Sequence, residues 1–117
     1  MFAIRQLRVP VSDPGRAEGF WTALFGRGPA GTEADGALRY HVDGIDLVLV
    51  PTAESSPHAP GGPLGFMLSH EDLDAVLARL PEETGAMIRT RADGRRHLEA
   101  RDPDGNLVLV DWRMPDR

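Results

Sequence analysis

Residues Arg101 to Trp112 read RDPDGNLVLVDW, and the fold follows from them outward. Asp102-Pro103-Asp104-Gly105-Asn106 places almost every turn-forming residue type in one short stretch. Leu107 to Val110 is then an unbroken aliphatic run with strong strand preference. Proline presets one backbone angle, glycine or asparagine takes the positive φ, and the aspartates accept from nearby backbone amides. The stretch therefore predicts a hairpin turn entering a buried strand.

Upstream of it the same grammar recurs. Arg95 to Arg101 and Ala86 to Ala92 are two further strands, joined by Asp93-Gly94. Before them, Leu64 to Leu68 predicts a strand. A helix then begins at Ser69 or His70, carries Leu73, Val76, Leu77 and Leu80, and is closed by Pro81 and Gly85. The first half has a matching order. Ile4 to Val11 alternates, with Leu7, Val9 and Val11 on one face. Ser12 and Asp13 offer capping oxygens, Pro14 suits the first helical position, and Ala17, Phe20, Trp21, Leu24 and Phe25 recur at helical spacing before Gly26. A short edge strand is expected around Gly31 to Ala34. Ala37 to Val42 and Ile45 to Val50 flank the two-residue hairpin signal Asp43-Gly44. Each half thus reads strand, helix, then two or three strands. Module one covers about 1–52, a Pro-, Ser- and Gly-rich linker about 53–62, and module two about 63–117.

Composition bounds the function. With 117 residues, 41% of them apolar and 26% charged, the chain is expected to be a single α+β domain with one main site. It has no cysteine, which excludes a disulfide framework, a cysteine zinc site and a thiol nucleophile. Its 13 basic residues are scattered among 18 acidic ones, a net charge of -5 that weighs against nucleic acid. No segment has the pattern of a leader or a bilayer span, so a cytoplasmic setting is the expectation.

Two βαβββ halves, the FWTALFG run at Phe20 to Gly26, and DPDGN before the last strand together resemble the vicinal oxygen chelate superfamily, which includes glyoxalases, extradiol dioxygenases and bleomycin-resistance proteins. The resemblance spans nearly the whole chain. It implies paired modules with curved mixed sheets around a cavity, and a homodimer. It also implies a divalent metal held by one residue from each of four strands. Carried onto this sequence, those positions are Gln6, Val48, Pro63 and Leu109. One amide and three groups without a donor atom cannot chelate a cation. Leu109 is pinned by the adjacent DPDGN, and its strand neighbours point to the other face. No metal and no other cofactor is therefore expected.

The same register gives the expected cavity surface. Leu107 and Asp111 share the face of Leu109. Across the hairpin, His97 should stand opposite Asp111 and Glu99 opposite Leu109. Gln6 and Arg8 join from the first strand, His41 and Val48 from the first hairpin, and Met67 from the fifth strand. Apolar floor with few polar groups is the composition of a small-molecule site. Trp21 belongs to the helical apolar stripe. Trp112, at the end of its strand, packs behind the sheet or reaches the cavity rim or a dimer partner, where it could stack on a planar ligand. For His97 and Glu99 three readings stand side by side: pairing with arginines, ligand contact, or acid-base or metal chemistry joined by His41. His58 and His70 read as solvated or capping.

The expected function is a metal-free protein that binds a small, aromatic or cationic molecule, such as a sequestered antibiotic. The alternative is a glyoxalase- or dioxygenase-like enzyme with a non-standard metal or acid-base site at His97 and Glu99.

Overall fold

The structure is a computed structural model, and residues 1–52 and 64–115 are described. The expected linker and Pro63 and His58 lie outside the described residues.

Module one runs β1 (Gln6–Val11), α1 (Pro14–Phe25), β2 (Gly31–Thr32), β3 (Leu38–Val42) and β4 (Ile45–Pro51). Module two runs β5 (Gly65–His70), α2 (Leu73–Arg79), a 3-10 turn at Glu82–Thr84, β6 (Met87–Thr90), β7 (Arg96–Arg101) and β8 (Leu107–Trp112). Each module folds into one mixed four-stranded sheet, ordered β1-β4-β3-β2 and β5-β8-β7-β6. The first strand of each runs parallel to the last, and the hairpin strands run antiparallel. Two such modules are the expected α+β architecture.

Local chemistry sets the boundaries. Asp13 caps α1 by accepting the Arg16 N–H, and Pro14 opens the helix, where its missing donor costs nothing. Gly26 ends it at φ 74°, a left-handed position open to glycine. The hairpin turn Asp43-Gly44 has φ of 49° and 79°, as the two-residue primed turn demands. Module two departs from expectation most at the β5–α2 boundary, and β6 is shorter than the expected Ala86 to Ala92. β5 continues through His70, and α2 starts only at Leu73, capped by Asp72 through the Ala75 N–H. The reason is that β8 supplies parallel partners as far as Ser69↔Asp111 and His70↔Trp112, which leaves Asp72 as the next capping side chain.

A single core lies between the sheets. Val9, Val11, Tyr40 and Leu49 of the first sheet join Leu98, Ala100, Val108 and Val110 of the second through Trp21, Leu24, Leu73 and Val76 of the helices. Trp21 is at the junction, fully buried, with ring centroids 5.2 Å from Phe20, 5.6 Å from Phe25 and 5.2 Å from Phe66 of β5. Arg79 of α2 clamps the end of α1, donating to the carbonyls of Ala23 and Leu24. Because both helices and one face of each sheet fill this core, the other face of each sheet looks out of the chain. No helix among the described residues is long and apolar enough to cross a membrane.

Candidate functional site

The turn that organises the sequence is also a structural tie. Asp102 is buried and accepts the N–H groups of Asp104 and Asn106 on Oδ1 and the Asn106 amide on Oδ2. Burial raises its pKa, and the bonds from Asn106 only partly oppose that. Asp104 accepts both the N–H and the hydroxyl of Ser12, at 3.1 and 2.6 Å, which fastens the entry to β8 onto the end of β1. The register of β8, and hence the direction of Leu109, is thereby fixed.

On the helix-free face of the second sheet, the expected pairing of His97 with Asp111 and Glu99 with Leu109 is present, and the parallel strand β5 sets Met67 beside Leu109. A ladder of polar groups crosses this face. Arg89 Nε donates to Glu99 Oε2 at 3.0 Å, Glu99 Oε1 meets His97 Nε2 at 3.0 Å, Arg91 Nε donates to His97 Nδ1 at 3.4 Å, and Arg91 Nη2 donates to Asp111 at 3.0 Å. Since Nδ1 accepts from a guanidinium, the ring proton of the neutral His97 sits on Nε2, facing the carboxylate. Glu99 is held below the ordinary glutamate range, first by the hydrogen bond from His97 and then by Arg89. Beside the ladder, Met67 is exposed and Leu109 half-buried. Arg89 and Arg91 were not singled out from sequence, although their two-residue spacing on the strand after Ala86 puts both on one face.

The helix-free face of the first sheet carries the rest. Val48, fully buried, lies between Arg8 and Arg39 in register, and Asp46 lies between Gln6 and His41. Arg8 donates to the Gln6 amide, His41 Nδ1 meets Asp46 at 2.8 Å, and Arg39 pairs with Glu33 at 3.3 Å.

The ten expected site residues thus do not form one surface within the chain. Gln6, Arg8, His41 and Val48 are on one outward face; Met67, His97, Glu99, Leu109 and Asp111 are on the other. Trp112 is on neither, because alternation along β8 turns it to the side of Val108 and Val110, where it is half exposed beside Arg91, Arg95 and Arg96. The proposed union of His41 with His97 and Glu99 is not assembled, since the shared core separates the two faces.

The metal implied by the resemblance can be tested against the donors present. Gln6 offers one neutral amide, Val48 and Leu109 offer nothing, and Pro63 lies outside the described residues. Among the described residues, no group of three or more His, Asp or Glu side chains is placed to hold a metal ion. These residues do not fit the group.

With this geometry in view, the chain belongs to the Glyoxalase/Bleomycin resistance protein/Dioxygenase superfamily, whose family model matches residues 3–110. Nothing among curated proteins matches the sequence. Among solved structures it is similar to a glyoxalase / bleomycin resistance protein from Catenulispora acidiphila DSM 44928, with 26% identity, TM-score 0.72, and coverage of 96% of this chain and 100% of that one. It is also similar to TnmS3, an antibiotic binding protein from Streptomyces sp. CB03234, with 27% identity, TM-score 0.68, and coverage of 97% and 98%. Lactoylglutathione lyase from Agrobacterium tumefaciens shares the fold at 22% identity and TM-score 0.67, over 94% of this chain and 92% of that one.

Proposed function

We propose that the chain is a metal-free binding protein for a small, partly aromatic molecule, sequestering an antibiotic or similar compound without transforming it. The observation that carries this reading is Leu109. It stands on the outward face of a strand whose register is fixed by DPDGN, at the position from which the resemblance draws a carboxylate ligand. The neighbouring surface of Met67, Leu107 and Leu109 is apolar and suited to a ring. The likeness to an antibiotic binding protein over nearly the whole chain supports the same reading.

The binding cavity in this account needs a second copy. Two outward faces, each open, would close on one another in a homodimer. The outer edges of β1 and β5 end their sheets, with Leu7, Leu64 and Met67 exposed along them. An edge strand flanked by exposed apolar side chains is a ready pairing surface. A cytoplasmic setting, with neither nucleic acid nor membrane as partner, goes with this reading.

A second reading is an enzyme using His97 and Glu99, favoured by their 3.0 Å contact. Against it, Arg91 already occupies the other ring nitrogen and Arg89 the other carboxylate oxygen. Proton transfer would first have to break the ladder.

A thermal-shift screen of antibiotics and aromatic metabolites, with and without EDTA, tests the proposal. A binder is stabilised by RT ln(1 + [L]/Kd), about 2.7 kcal/mol at one hundred times Kd. The account expects at least one compound to raise Tm equally in both conditions. Stabilisation that disappears with EDTA would contradict it.

A further inference from the structure

A cleft of about 420 Å³ lies on the helix side of the second sheet, away from both outward faces. Its floor is Leu24, Phe25 and Val42 from the first module and Leu68, Val76 and Val110 from the second. Leu24, Val76 and Val110 belong to the buried core and Phe25, Val42 and Leu68 are partly buried against it, so the floor is the outer margin of the core. Volume and lining are those of a small-molecule pocket.

The rim is charged. His70, Arg79 and Arg113 stand around the opening with Ser69, and Asp43 is the acid among the described lining residues, with Glu71 beside Arg113. Arg79 is held over Gly26, where any side chain would crowd its guanidinium at 3.1 Å, and it donates to the last carbonyls of α1. That anchoring fixes a positive charge at the cleft, and among the described residues no carboxylate pairs with it. His70 Nδ1 accepts the Asp72 N–H at 2.9 Å, which leaves the ring proton of the neutral form on Nε2 as a donor. Arg113 pairs with Glu71 across 3.7 Å, an exposed contact of the kind that exchanges at little cost.

We propose that this inter-module cleft binds a small molecule with an apolar body and one carboxylate, the body on the core margin and the carboxylate at Arg79, Arg113 and His70. The ligand would bridge the two modules, since each supplies half of the floor. This site is independent of the one formed by Leu109 and Met67, which lie on the opposite face of the sheet.

The test is ¹H–¹⁵N chemical-shift mapping of the full chain during titration with octanoate, with octanamide as the uncharged counterpart. Octanoate should shift the amides of Val42, Leu68, Ser69 and His70 saturably, and octanamide should bind at least tenfold more weakly. Arg113→Gln should weaken octanoate at least fivefold. Asp43→Asn, which removes the opposing charge at a position where asparagine accepts positive φ, should tighten it. Both substitutions are at exposed positions, and an unchanged Tm confirms that the fold is intact. Equal affinity for the acid and the amide, shifts confined to the outward faces, or no saturation would each overturn the proposal.

Discussion

His97 stands directly across from Asp111 on antiparallel strands, and Arg91 reaches both, donating to the imidazole at 3.4 Å and to the carboxylate at 3.0 Å. One guanidinium thus ties two strands and fixes the tautomer of a buried histidine. Arg91→Ala removes both contacts and should cost about 0.2–1 kcal/mol in urea unfolding, the range of exposed charged pairs.

Glu99 makes an acid-limb prediction. Its carboxyl is depressed in the fold by His97 and Arg89, so the charged form is bound more favourably folded than unfolded. That contribution is present above the ordinary value of 4.5 and is lost as pH falls below it through the depressed folded value. Glu99→Gln should therefore lower Tm at pH 7 and flatten its fall below pH 4.5, so that the two Tm curves converge in acid.

Asp102 acts in the opposite sense. Burial raises its pKa, so ionisation costs stability above the folded value, and this cost fades as pH falls toward the unfolded value of 3.8. Its hydrogen bonds still outweigh its removal. Asp102→Ala leaves the buried Asn106 N–H unsatisfied and should cost about 1–3 kcal/mol in urea unfolding at pH 7.

Trp21 joins the modules through Phe66 and is fully buried. Trp21→Ala should cost about 3–5 kcal/mol, read from the denaturant midpoint. Trp21→Phe should cost much less than that, because the indole N–H it removes has no partner among the described residues.

Much of this architecture was readable in the residues. Asp43-Gly44 and Asp102 to Asn106 specify turns by backbone chemistry, and strict alternation then determines which of His97, Leu98 and Glu99 faces the helices. The start of α2 was misplaced because the strand partner that extends β5 to His70 comes from β8, far along the chain. The site was legible within each sheet and not between sheets. Period-two reasoning puts Gln6, Arg8 and Val48 on one face, and Met67, Glu99 and Leu109 on another, but carries no information on how α1 and α2 stack. That stacking, made by Trp21, Phe66 and Arg79, turned the two faces outward. Trp112 shows the same limit, since its face followed from alternation while its arginine neighbours came from the ends of β6 and β7.

The central claim is binding without a metal. Protein purified without chelator, saturated with a compound from the screen and analysed together for metal content and for ligand recovered after incubation, gives the most direct test. The account predicts less than about a tenth of a metal ion per chain, the level of a site with no donor set, and ligand recovered unchanged. One Ni, Zn, Fe or Mn ion per chain that is lost in His97→Ala, with a converted ligand, would contradict it.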